Sequence, residues 1–235
     1  MFGWNRMRRR PADEKIKADE NIKAVEIIDP YMLIRLVADG VAAQVQGSRL
    51  PDGETPNFYL SMFNALVSGE YQARRNASNF HLARVSGVEP NVFCPDAKQM
   101  QVSLHIAWAA HDGRVLERPD GSLWAVVCVQ GSRTRSTLSG IEVDADALVH
   151  IDYLYEQAGL FAWRETAELV RLWARPRTQR ALDRALDTMP LLTTLTPEAG
   201  NQYAVYDPEF GQWHFVAREF AFQPSQQSAG RFRFF

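Results

Sequence analysis

Apolar residues recur along this chain with two different periods, and the changes of period mark its predicted elements. Up to about Gly69 the spacing is helical. Ile16, Ile22, Val25 and Ile28 form a thin apolar stripe in the mixed-charge stretch from Asp13 to Ile28. Asp29-Pro30 then supplies an N-cap with proline at the first helical position, and Leu33, Leu36, Val37, Val41 and Val45 follow at helical intervals to Gly47. Thr55-Pro56 repeats that signal for a helix with Tyr59, Met62, Phe63 and Leu66 on one face, closed by Gly69. The stretch from Glu70 to Ser86 fits a further helix or an extended run equally well.

From Val88 the period shortens to two. Val102, Leu104, Ile106 and Trp108 alternate with Gln101, Ser103, His105 and Ala107, the pattern of a half-buried strand. Turns at Asp112-Gly113 and Pro119-Asp120-Gly121 bracket Arg114 to Glu117 and precede the apolar run Leu123 to Gln130. Connections this short join antiparallel strands, so a three-stranded meander is expected, with one more short strand at Ile141 to Val143. Helical spacing returns at Asp144, where Leu148, Ile151, Leu154 and Tyr155 make a stripe ending at Gly159. Phe161 to Arg175 is expected to turn Ala162, Thr166, Leu169, Val170 and Trp173 inward. Pro176 breaks that helix, and Arg177 to Met189 forms another. A hairpin pairs Gln202 to Tyr206 with Gln212 to Phe222.

The order predicts an α+β fold: N-terminal helices, a central antiparallel meander, a second helical segment and a C-terminal β-hairpin. Residues 1–12 read as a basic, aromatic arm, 13–222 as one domain with a sub-boundary near 87–90, and 223–235 as a tail. A chain of 235 residues with 46% hydrophobic composition can bury a core, and its apolar runs are far too short to cross a membrane as a helix. Met1 to Arg10 lacks the apolar stretch of an export signal, and Cys94 and Cys128 stand alone, so reduced thiols and a cytoplasmic or particle-bound setting are expected. Cys128, inside Trp124 to Val129, reads as a small buried hydrophobe.

Candidate chemistry is sparse. No GxxxxGK[ST], GxGxxG or GxSxG motif occurs. His111-Asp112 copies part of a metal phosphohydrolase pattern but precedes Gly113, as a β-turn does. His150 and Asp152 lie two apart on an expected helix and point away from each other. Glu142, Asp144 and Asp146 suit the start of a helix. No metal site and no cofactor are therefore expected. Arg75 and His81 match the loose Arg-x(4–6)-His pattern of metal-independent ribonucleases of the HEPN type, in which histidine moves a proton and arginine stabilises the phosphorane.

At net −2 the surface is no polycation, so any nucleic-acid contact must be local, although arginine outnumbers lysine 22 to 4. Nucleotide bias in the coding sequence would give the same ratio. Arg6, Arg8, Arg9 and Arg10, with Arg74 and Arg75, are the candidate anion-binding residues. Phe2 and Trp4, with Phe232, Phe234 and Phe235, are the candidate protein contacts, since aromatic and arginine residues dominate binding hot spots. The expected function is a non-enzymatic structural or adaptor subunit of a larger assembly, such as secretion or conjugation machinery or a phage particle, docking on other protein subunits through its termini. The alternatives are a nucleic-acid-binding accessory protein using the arginine clusters and a ribonuclease using Arg75 and His81.

Overall fold

The computed structural model describes residues 25–36, 43–50, 53–76, 79–89, 100–132, 140–196, 200–220 and 232–234. Its organising element is strand β7 (Met100–His111), which has partners along both edges. One edge carries β5 (Gly53–Tyr59) in parallel, with Phe58 opposite Leu104, and β12 (Gln202–Asp207) antiparallel, with Ala204 opposite Trp108. The other carries β9 (Ala125–Ser132), with Cys128 opposite Leu104, and β8 (Arg114–Glu117), which pairs Val115 with Ala110. Asp112 and Gly113 join β7 to β8 with φ of 45° and 71°, the left-handed pair of a tight hairpin.

The expected meander is thus rearranged. β8 and β9 share one edge of β7, and only Glu117 bridges to Leu123. The reason is length: β8 has 4 residues against 12 in β7, which leaves most of that edge to β9. The C-terminal hairpin of β12 with β13 (Gln212–Ala217) forms as expected.

Where the chain before Thr55 is described, strands replace the expected helices; residues 13–24 and 37–42 of those helices lie outside the described residues. Val25–Ile28 is β1, Tyr31–Leu36 is β2, Ala43–Val45 is β3 and Gly47–Leu50 is β4. β2 is buried on both faces, Met32 and Ile34 in one apolar cluster and Tyr31 and Leu33 in another. Two-sided burial removes the alternation that identifies a strand, and the continuous run admits a helical reading. Asp29 is no N-cap. Its carboxylate accepts the Ser86 N–H at 2.9 Å and the Ser86 hydroxyl at 2.8 Å, and pairs with Arg84 at 3.2 Å. Thr55-Pro56 lies within β5, and helix α1 (Met62–Asn76) starts later, where the Ser61 Oγ accepts the Phe63 N–H. α1 runs through Gly69, which packs against Leu33, and β6 (His81–Arg84) follows, so the ambiguous stretch contains both a helix and a strand.

Helix α2 (Ala145–Gln157) forms as expected, with the Asp144 carboxylate accepting the Asp146 N–H at 3.0 Å and Gly159 at φ 79° beyond its end. α3 (Trp163–Arg171) ends before Pro176, which occupies the first turn of α4 (Arg175–Asp187). Val170 is buried, but Leu169 is 54% exposed and does not face inward.

β10 (Ile141–Asp144) pairs with β1, while β11 (Leu191–Thr193) extends β8 in parallel. β14 (Phe232–Phe234) lies antiparallel on β9. Among the described residues, fourteen strands and four helices make an α+β fold whose main sheet is mixed.

The two large apolar clusters occupy opposite faces of β7. Leu104, Ile106, Ala107 and Ala109 meet Leu148, Ile151 and Leu154 of α2. Trp108 and Ala110 meet Phe63, Val67 and Tyr71 of α1, Val170 of α3, and Leu182 and Ala185 of α4. A bulge between His105 and Ala107 moves Trp108 off the Leu104 face to which simple alternation assigned it.

Candidate functional site

Several expected site residues are engaged by the fold. Arg74, near the end of α1, pairs with Glu70 at 3.2 Å and, across to α4, with Asp183 at 2.6 Å and Asp187 at 3.3 Å. Arg75 pairs with Glu117 at 2.9 Å and lies over the Tyr71 ring. Carboxylates thus hold both guanidinium groups, and a phosphate would have to compete with them. His81 is exposed at the start of β6, opposite Ile34 of β2. Phe2, Trp4, Arg6, Arg8, Arg9, Arg10, Phe235 and Cys94 lie outside the described residues. The backbone of Phe232–Phe234 adds a strand to the sheet of its own chain, opposite Val126 to Cys128.

The weaker histidine motifs resolve physically. His111 meets Asp112 at 3.4 Å beside the hairpin turn. His150 is buried on α2 with Nδ1 2.5 Å from the Asp146 carbonyl, while Asp152 accepts Arg164 at 2.8 Å and the Trp163 indole at 2.9 Å. Among the described residues no three His, Cys, Asp or Glu side chains converge as a metal site would require.

Two other regions concentrate chemistry. The first is a cavity of about 440 Å³ between α1 and the sheet. Tyr59, Trp108 and Tyr71 give it aromatic walls, Asn57 and Gln72 give amides, and Arg118 gives the cation. The Arg118 guanidinium stacks 4.0 Å over the Trp124 ring, its buried Nε has no acceptor among the described residues, and burial pulls its pKa down against the opposing field of Asp120. Glu117, next in sequence, is occupied elsewhere: it accepts the Tyr71 hydroxyl at 2.5 Å and the Thr193 hydroxyl at 3.1 Å, beside its pair with Arg75. Burial, and after it the Glu117 carboxylate, pushes the Tyr71 phenol up to about 12; burial pushes Tyr59 to the same value.

Behind the aromatic wall lies His105, 2% exposed, with its ring 4.9 Å from Tyr59 and 4.8 Å from Trp108. Among the described residues neither ring nitrogen has a hydrogen-bond partner, and burial drives its pKa down to about 3. The neutral imidazole is an aromatic packing element here.

The second region is an apolar cleft of about 260 Å³ where the start of α1, the end of α2, the start of α3 and the β12–β13 turn meet. Phe161 and Phe210, exposed by 78% and 69%, stand among its lining residues. Its floor includes Asn64 and Tyr155, whose hydroxyl accepts from the Asn64 amide at 3.1 Å and lies 3.3 Å from the Ile106 carbonyl. Asp207 and Glu209 add acidic character, and no lysine or arginine is among the described lining residues.

Sequence reasoning missed both regions. Arg118 and the cavity amides come from separate segments with no common spacing. The exposed Phe161 and Phe210 were visible only as isolated aromatics near Gly159 and Gly211. Comparison with protein-family models, with curated proteins and with solved structures gives no match to this chain. No helix of the described residues is long and apolar enough to cross a membrane.

Proposed function

We propose that this chain is a non-enzymatic subunit of a larger macromolecular assembly, and that a neighbouring copy docks its aromatic, basic N-terminal arm in the apolar cleft. The observation that carries this reading is the exposed pair Phe161 and Phe210 beside an apolar cleft with acidic side chains. Large aromatics left in water are the usual anchors of a protein contact. Residues 1–12 carry the complementary chemistry, with Phe2 and Trp4 to fill the cleft and Arg6, Arg8, Arg9 and Arg10 to meet the exposed Glu209. The engagement of Arg74 and Arg75 by carboxylates also favours contact through surfaces over phosphate chemistry at those positions.

A labelled peptide of residues 1–12, titrated into the full chain and followed by fluorescence anisotropy, tests this. Saturable binding is expected, weakened at least about tenfold by the double change Phe161→Ser and Phe210→Ser while the circular dichroism spectrum stays native. Absence of saturable binding, or equal binding by the folded double variant, removes the reading.

A further inference from the structure

Helix α4 carries both signs of charge, and the fold treats them differently. Asp183 and Asp187 are taken by Arg74 of α1, at 2.6 Å and 3.3 Å, and the Gln179 amide donates to Asp183 at 3.1 Å. Helical spacing alone offers these carboxylates to Arg180 and Arg184, each of which stands three residues before one of them. With the acids drawn across to α1, Arg177, Arg180 and Arg184 remain at intervals of three and four residues on one exposed face. None of the three makes an ion pair among the described residues. Together they line a groove of about 200 Å³ between α4 and the β12–β13 turn, with Trp173, Glu209 and Gly211 also in its walls.

Two of the three guanidinium groups are set in place. Arg177 stacks 4.0 Å over the Trp173 ring, which occupies its flat face and leaves the N–H groups on its rim. Arg184 lies on the bare backbone of Gly211, where an added Cβ would stand 2.7 Å from the guanidinium carbon. Glu209 is the opposing charge in the lining, one carboxylate against three cations, and it forms an ion pair with none of them. Among the described residues the groove shares only Pro208 and Glu209 with the docking cleft.

We infer that this arginine face of α4 binds the phosphate backbone of a nucleic acid. Arg177 to Arg184 covers about 10 Å of helix, room for two or three successive phosphates of one strand. An arginine fork grips a phosphate with two parallel hydrogen bonds. An acidic protein is the other polyanion to consider, but the core of a protein contact is depleted of charge and holds apolar anchors. None of the exposed large apolar side chains among the described residues lines this groove. Nucleic-acid interfaces are polar and strongly positive, as this face is.

Fluorescence anisotropy of labelled single-stranded DNA, duplex DNA and RNA, titrated with the full chain, tests the face. Saturable binding of at least one is expected below about 100 μM in about 50 mM salt, with a log–log salt slope of about −2. The triple change Arg177→Gln, Arg180→Gln and Arg184→Gln keeps good helix formers and should weaken binding at least about tenfold and flatten that slope. Arg177→Lys, Arg180→Lys and Arg184→Lys together should preserve the slope, because the charge is kept. Equal loss of charge in the arm, through Arg8→Gln, Arg9→Gln and Arg10→Gln, should weaken binding by less than about threefold. Circular dichroism establishes that each variant is folded. Absence of saturable binding overturns the assignment, as does equal weakening by the arm variant or equal affinity for a poly-glutamate peptide of matched charge.

Discussion

His105 and Trp108 lie three residues apart on one strand, yet their rings meet edge to face at 4.8 Å. In regular pleat they would point to opposite faces; the bulge between His105 and Ala107 brings both to the α1 side. The imidazole is thereby enclosed between Tyr59 and Trp108, and this burial has a consequence for acid stability.

The His105 pKa falls from an ordinary 6.5 to about 3 in the fold, with desolvation the main cause and its own backbone opposing. The unfolded chain takes up a proton below pH 6.5 that the folded chain refuses. Stability contributed by the neutral ring is therefore complete above the unfolded pKa and is lost as pH falls toward 3. Urea unfolding between about pH 7 and pH 5 should show stability dropping by up to about 1.4 kcal/mol per unit once below the unfolded pKa. His105→Leu should flatten that slope; an unchanged slope would place its origin elsewhere.

Glu117 anchors a buried junction of α1, β8 and β11, since it holds Tyr71, Arg75 and Thr193 at once. Glu117→Ala strands the Tyr71 hydroxyl in a buried site and should cost about 2–4 kcal/mol in denaturant unfolding. Arg75→Ala removes only a half-exposed partner and should cost about 0–1 kcal/mol. Equal costs for the two changes would show that the junction is not organised around the carboxylate.

Gly140 stands where the chain enters β10, and a Cβ built there overlaps the Ile28 carbonyl of β1. That obstacle is backbone and cannot rotate away. Gly140→Ala should lower stability by about 1–3 kcal/mol through loss of the β1–β10 pairing. Gly87→Ala, where a Cβ meets nothing within 4 Å, is the control and should stay within about 0.5 kcal/mol of the parent. Thermal unfolding of the two variants side by side measures the difference.

Deletion of residues 231–235 removes β14 and bares the β9 edge from Val126 to Cys128. Unpaired strand edges template association between chains. The truncated chain should show faster amide hydrogen exchange along β9 and more self-association by light scattering. Unchanged β9 exchange would mean that the tail strand adds no protection.

The sequence by itself determined the elements whose signals are local. The existence of strand β7, the Asp112-Gly113 hairpin, the Asp144 cap of α2 and the β12–β13 hairpin each follow from a handful of neighbouring residues, and so does the α+β class, whereas β7 is buried on both faces from Ser103 to Ala110 instead of the one that its alternation implied. Tertiary structure decided the rest. Tyr31 to Ile34 became a strand because the sheet and α1 cover both of its faces, which no local period records. Ser61 rather than Thr55 starts α1 because Asn57 to Tyr59 are taken up in parallel pairing with β7. Arg74 and Arg75 acquired carboxylate partners up to 113 residues away, while Arg118 came to line a cavity with side chains from β5, α1 and β7. Capping and turn formation act over a few residues and leave their mark in order; burial and ion pairing act through space, between positions whose separation along the chain carries no signal.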